Sequence, residues 1–488
     1  MDYRRYRRRS AETPSEKARI RLARFRPHRS TSDNGHYVSF APGGGFVGLA
    51  RPALQRFARR GPSQPYKRNM NQQTLRAGMV GLGMIFDETY RPFFERARRD
   101  GLHSRETGFV EIELAAVASR TGLRTEKYRA ALPGFTSFTG EHSAKDLANS
   151  DVNIVCVATP DDRHFAPAAA ALKAGKHVLI EKPSVLSLQE LDELQKLADA
   201  AGVLAKVVYH KLLDPDHKKL RTLYRDGVLK HINNGYCSLL EPKSIGTGQF
   251  AEWIAGRNPG TYVAVHYLKL IDFTFGPDWQ PVRVGANGQR GIVGPSGGNT
   301  WDSVQLQVTY LHPSGREATF DIHTGWVTPD NFPGYVDQEV QFRFDNGVWI
   351  AHQRKRGVEL TVEGRTPNEL KNTPNYHYNG TFLEPWGERS QRGYGIEVIE
   401  RFFREVAFVE FGGSKEDRPT RLQAMIALDY NDLRAERNCV AIVQAMEAIL
   451  AAHAAGSPGG TVFLNKDAGG LVLHSPGGAN VVLYPEKV

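Results

Sequence analysis

From Leu75 onward, short continuous apolar runs alternate with longer segments whose apolar residues recur every three to four positions. LRAGMV (75–80), IELAAVAS (112–119), VNIVCVAT (152–159) and HVLI (177–180) are strand-length runs without polar alternation. A parallel sheet covered on both faces requires such runs. Between them, Tyr90, Phe93, Phe94 and Ala97 fall at i, i+3, i+4 and i+7, which is one face of a helix. HFAPAAAALKAG predicts a second helix closed by Gly175. SLQELDELQKLADAAG predicts a third, with Ser187 and Glu190 as a capping box and Leu191, Leu194 and Ala198 on one face. The pattern predicts a doubly wound α/β domain of Rossmann type over residues 74–205.

The period then changes from helical to two. VQLQVTY (304–310), EATFDIH (317–323) and QEVQFRF (338–344) alternate apolar with polar, and Asp345, Asn346 and Gly347 form a turn before VWIAHQ. Residues 206–455 are therefore expected to form an α+β domain around a large, mostly antiparallel, open-faced sheet. Residues 418–453 read as helix. The Gly-punctuated stretch 456–488 is set apart as a C-terminal extension without assigned elements.

Charge refines this division. The net charge of +10 is uneven: residues 1–69 hold 17 Lys and Arg against 4 Asp and Glu, while the remaining 419 hold 46 against 49. The basic character belongs to an Arg-, Ser-, Pro- and Gly-rich tail, residues 1–73, too poor in apolar surface to fold alone. Pro42 and the glycines around it break the apolar core that a secretory signal requires, and Met70 stands as an alternative initiator. The nearly neutral body excludes a nucleic-acid role for the folded part. No apolar run reaches the ~18 residues of a membrane span, so a cytoplasmic protein is expected. Cys156, Cys237 and Cys439 are too dispersed for a disulfide framework or zinc knuckle, and no metal site is expected.

Candidate chemistry gathers at the ends of the predicted strands. Gly81 and Gly83, followed by Met84 and Ile85, sit where a dinucleotide fold turns sharply and brings the pyrophosphate to a helix N-terminus, although Phe86 replaces a third glycine. At the end of the second long strand, Ser119, Arg120 and Thr121 stand where NAD-preferring sites commonly present an acid. A guanidinium beside a hydroxyl suits a 2′-phosphate, which tilts the expectation slightly from NAD to NADP. HVLIEKP sets Lys182 between Glu181 and Pro183 at a strand's carboxyl end, the usual ligand-binding edge of such sheets.

The order of Gly81-x-Gly83, then Thr159-Pro160 and His164, then Glu181-Lys182-Pro183, then a helix bearing His266, resembles the Gfo/Idh/MocA family of sugar and cyclitol oxidoreductases. The resemblance runs from about residue 75 to at least 450. It implies a nicotinamide cofactor bound by Gly81, Gly83, Met84, Ile85, Ser119, Arg120, Thr159, Pro160, His164, Glu181 and Lys182. It also implies that Lys182 contacts the reacting hydroxyl and that His266 assists proton transfer. Members often carry an aspartate one turn before the histidine. Here that position is Tyr262, a phenol that is mostly neutral at pH 7 and cannot supply the same charge.

Oxidising a secondary alcohol needs a base for the hydroxyl proton and a cation near the developing oxygen charge, and Lys182 and His266 suit both needs. Tyr209, His210, Trp253, Arg257 and Asn258 are candidate readers of sugar hydroxyls. The expected activity is hydride transfer between NAD(P) and a sugar, glycoside or cyclitol. The alternatives are a redox-neutral enzyme that cleaves or isomerises glycosides with a retained cofactor, and a catalytically silent sugar or cofactor sensor. A homo-oligomer, dimer or tetramer, is expected through the C-terminal sheet.

Overall fold

A computed structural model describes residues 73–485, apart from 250–253, 255, 295–299, 333–335, 353–359, 363–369, 373–374, 429 and 466–469. The basic tail and Trp253 lie outside the described residues. The continuous apolar runs form the first sheet: β1 (Gln73–Val80), β2 (Leu102–Ser104), β3 (Gly108–Ser119), β4 (Thr136–Thr139), β5 (Ile154–Val157), β6 (His177–Glu181) and β7 (Ala205–Val208). The order is β2-β3-β1-β5-β6-β7, with β4 also on β3, and only β2 runs antiparallel. The strand order reverses at β1, which pairs with β3 on one side and β5 on the other. The cleft between the carboxyl ends of β1 and β5 is thus the topological switch point where such sheets bind ligands.

The predicted helical faces are buried. Tyr90, Phe93, Phe94 and Ala97 pack under the sheet, and the Ser187 hydroxyl accepts the Glu190 N–H at the start of Leu188–Ala201. The same face is completed from far along the chain: Ile396, Ile399, Phe402, Phe403 and Val406 of helix Tyr394–Phe411 join Met79 and Phe93 in one core. The opposite face shares its core with the second sheet.

That sheet contains β8 (Ile232–Pro242), β9 (Gln280–Gln289), β10 (Ser303–Leu311), β11 (Glu317–Thr328), β12 (Asp337–Phe344) and β13 (Gly347–His352). Its order is β13-β12-β8-β11-β10-β9, and β8 and β11 are its parallel pair. The C-terminal stretch continues it: Thr461–Asn465, Gly470–His474 and Val481–Tyr484 add three antiparallel strands beside β9. The long terminal helix expected over 418–453 is interrupted. Arg418–Ile426 and Arg437–Ala454 flank a loop in which Asn431 donates to the Val207 carbonyl and Asp432 caps the turn at Arg434. Polar side chains that bond nearby backbone groups compete with helix continuation.

Candidate functional site

The glycine turn sits at the switch point. Gly81 has φ +96°, its N–H donates to Ala118 O at 3.0 Å, and a Cβ there would lie 2.3 Å from Ala158 O. Any other residue would be strained and would collide with the end of β5. A Cβ on Gly83 would meet nothing within 4 Å, so the backbone there faces open space. The following residues start a helix through a π-turn, Phe86–Tyr90, and continue as Arg91–Asp100. Met84 packs against the cluster of Ile245, Ile254, Val293 and Trp326, and Ile85 packs under the sheet. Their side chains fix the turn, and its backbone is the part that a pyrophosphate would meet. These features fit a dinucleotide.

Beyond β3, Ser119 Oγ accepts the Gly122 N–H at 3.1 Å, and the Arg120 side chain is exposed. Arg124, which the strand pattern did not single out, donates to Leu82 O at 3.1 Å and so braces the glycine turn. Thr159 Oγ1 donates to Arg163 O. His164, expected at the cofactor, is a brace instead. It is buried with Nδ1 2.7 Å from Pro183 O and Nε2 2.8 Å from Thr159 O, tying the loop after β5 to the loop after β6.

The lysine of HVLIEKP is half-buried. Its Nζ donates to Tyr262 O at 2.9 Å and lies 3.8 Å from the Tyr262 ring centroid, and the Lys182–Pro183 peptide is cis. Burial depresses its pKa, against the opposing pull of Glu181, Glu241 and Asp161. Glu181 is buried and accepts the Tyr90 hydroxyl at 3.0 Å; burial pushes its pKa up to about 7. Tyr262 lies in the π-turn Gly260–Ala264 that leads into helix Val265–Phe275, and His266 follows one turn later. Nδ1 of His266 is buried without a hydrogen-bond partner among the described residues. Burial, then the charges of Lys182 and Lys211, hold its pKa well below the usual histidine value, so the ring is neutral at pH 7.

The five expected substrate readers part company. His210 stays at the site: its Nε2 is buried without a hydrogen-bond partner among the described residues, and burial with the Lys182 charge lowers its pKa to about 3. Arg257 also stays, 3.9 Å from the buried Asp161. Tyr209 does not. It is fully buried, and its hydroxyl donates to Glu436 at 2.7 Å inside the core. Asn258 is likewise committed, accepting Thr261 N–H at 2.9 Å and donating to Thr261 Oγ1 and Glu447, where it caps the turn before the histidine helix. Trp253 is outside the described residues.

Two carboxylates at the site escaped the sequence reading. Asp161 follows Thr159-Pro160, and its Oδ2 is buried without a hydrogen-bond partner among the described residues. Glu241 on β8 accepts the Trp326 indole N–H at 2.8 Å, and burial pushes its pKa up to about 7. The signal for Glu241 was a single acid in the apolar run YCSLLEP. Among the described residues, no group of His, Cys, Asp and Glu could hold a metal ion, and no helix is long and apolar enough to cross a membrane.

A parallel sheet with a glycine turn at its switch point is the arrangement of a nucleotide-binding domain. Residues 75–209 match the model of the oxidoreductase family with an NAD-binding Rossmann fold, Gfo/Idh/MocA. The oxidoreductase YdgJ of Escherichia coli (strain K12) is 30% identical over 159 residues, 32% of this chain and 41% of the relative. IolW of Bacillus subtilis (strain 168), a scyllo-inositol 2-dehydrogenase (NADP(+)), is 33% identical over 93 residues, 19% of this chain and 26% of the relative. The matched segments therefore span less than half of these curated relatives. Apo scyllo-inositol dehydrogenase from Lactobacillus casei shares the fold, with a TM-score of 0.51 at 16% identity, over 73% of this chain and 96% of that one.

Proposed function

We propose that the protein is an NAD(P)-dependent oxidoreductase that moves a hydride between the nicotinamide and a secondary hydroxyl or carbonyl of a sugar or cyclitol. The observation that carries this is the setting of Lys182, whose Nζ is held on Tyr262 beside the switch point with a depressed pKa. When bound, the nicotinamide accepts or donates the hydride. A lysine whose pKa is depressed by burial can take the hydroxyl proton as the C–H bond breaks and can stabilise charge on the oxygen. Neutral His266, with an open Nδ1, passes that proton onward. Glu181, Pro183 and His164 fix the loop that presents the lysine. His210 and Arg257 would meet the remaining hydroxyls. The exposed Arg120 beside Ser119 supports use of NADP, the cofactor named for IolW, at least equal to that of NAD.

The test is absorbance at 340 nm with NAD⁺ or NADP⁺ against scyllo-inositol, myo-inositol, D-glucose and their uronic and amino derivatives. Stoichiometric appearance of reduced nicotinamide is expected with at least one polyol. Sugar conversion without absorbance change would favour the redox-neutral alternative, and binding without conversion a sensor. For assembly we propose a homo-oligomer through the second sheet, whose edge strand β13 exposes Val348 and Ile350; sedimentation as a monomer would contradict it.

A further inference from the structure

Two segments meet beyond the carboxyl ends of β5 and β6, and two contacts join them. The first segment is the pair of loops after these strands, which His164 ties together through Thr159 O and Pro183 O. The second is the turn from Arg257 to Tyr262, in which the Tyr262 N–H donates to Asn258 O at 3.2 Å ahead of the histidine helix. Lys182 makes one contact, its hydrogen bond to Tyr262 O. Asp161 and Arg257 make the other, and it is incomplete. Arg257 Nη1 stands 3.9 Å from Asp161 Oδ1, beyond hydrogen-bond length, while Oδ1 accepts the adjoining Asp162 N–H at 2.9 Å. Arg257 Nη1 and Asp161 Oδ2 are both buried without a hydrogen-bond partner among the described residues. Withdrawing opposite charges from water without closing the bond between them is costly, so the pair calls for a third group.

We infer that Asp161 and Arg257 together receive one uncharged hydroxyl group of the substrate, as a second anchor beside Lys182. This rests on the proposed oxidoreductase reading for its purpose, but the binding itself can be measured without turnover. An oxygen about 2.8 Å from both ends of the 3.9 Å gap would see them about 90° apart. A hydroxyl meets that angle by accepting from the guanidinium and donating to the carboxylate, and so suits both partners. A carboxylate would be held by Arg257 but repelled by Asp161, and an ammonium the reverse. The pair therefore selects a neutral polyol over a uronate or an amino sugar at that position. A bridging water and a ribose hydroxyl of the cofactor share the same chemistry, and the experiment separates them from the substrate.

The experiment is calorimetric titration of the full chain, saturated with NADPH or NADH so that a polyol has no hydride acceptor, with scyllo-inositol and with methyl D-glucoside and its amino and uronic counterparts. Asp161→Asn, which keeps the side-chain shape and leaves Arg257 partly exposed, and Arg257→Met are each expected to weaken the neutral ligands about tenfold or more, the scale of a charge-assisted hydrogen bond. The double variant should lose less than the product of the two, because both residues hold the same hydroxyl. The uronic ligand should lose less than the neutral glycoside in Asp161→Asn, and the amino ligand less in Arg257→Met. Neutral-ligand affinity equal to wild type in folded Asp161→Asn and Arg257→Met would overturn the inference and leave the gap to a structural water. Equal losses for all ligands in both variants, a loss confined to cofactor affinity, or a wild-type protein that binds neither neutral ligand would overturn it as well. Turnover by wild type with oxidised cofactor separates the two readings. Polyol binding through this pair without reduction of nicotinamide defeats only the oxidoreductase reading, whereas turnover with unmoved affinities in the variants defeats only the pair.

Discussion

Lys269 and Lys182 are both withdrawn from water, and their surroundings differ in one respect. Lys269, on the histidine helix, is 1% exposed, lies 3.1 Å from Glu436 and 3.5 Å from Asp272, and also donates to Ala435 O. Burial works against its charge, yet Glu436 and Asp272 raise its pKa above the ordinary value. Lys182 has a carbonyl and an aromatic face but no carboxylate within ion-pair reach among the described residues, and its pKa falls. Saturation makes the first a structural tie between the helix and the C-terminal segment. Incomplete saturation leaves the second with a proton it can exchange. Tyr209 joins the saturated cluster through Glu436, which is why it cannot read a substrate.

The widest gap between the two sites is expected in stability. Lys269→Met strands Glu436 in the core and should cost about 3–5 kcal/mol, because removing one partner of a buried pair leaves an uncompensated charge. Lys182→Met should cost under about 1 kcal/mol, since Glu181 and Glu241 can take up protons near neutrality. Urea unfolding of both variants at pH 7 checks this, and equal losses would erase the distinction.

A pH series sharpens the comparison further. Glu241 titrates near 7 when folded against an ordinary value of 4.5, so between those limits the native state binds more protons than the unfolded chain. Its contribution to stability therefore falls as pH rises through that window. Glu241→Gln removes this loss, and its stability relative to wild type should improve by on the order of 1–3 kcal/mol between pH 5 and pH 8. A difference that stays flat with pH would show that the carboxylate is not held in the buried setting described.

The smallest effect concerns the cofactor. Arg120→Ala should weaken NADP by roughly tenfold and leave NAD unchanged, the scale of one charge-assisted hydrogen bond. Arg124→Ala should weaken both alike, because it braces Leu82 O in the turn that meets the shared pyrophosphate. Fluorescence titration of the two cofactors against both variants separates a specificity residue from a scaffold residue.

The nucleotide domain was legible because its signals are local. Strand runs, the capping box at Ser187 and the face from Tyr90 to Ala97 each lie within one element, and the structure reproduces them. What depends on distant segments was not legible. Helix Tyr394–Phe411 covers a sheet whose last strand ends at Val208, and the Gly-rich C-terminus joins the second sheet through β9. The site divides in the same way. Lys182 and Gly81 are announced by their own neighbours in sequence. Whether Asn258 caps a turn, His164 braces two loops or Glu241 holds the Trp326 indole is decided by side chains that meet only in the fold.

The central assignment, that Lys182 carries the proton chemistry of hydride transfer, is tested most directly by single-turnover reduction of nicotinamide in wild type and Lys182→Met, using the polyol that wild type converts best. A loss of about 10²-fold or more in the chemical step, with cofactor affinity and melting temperature little changed, is the expected result. Near-normal turnover in Lys182→Met would contradict it.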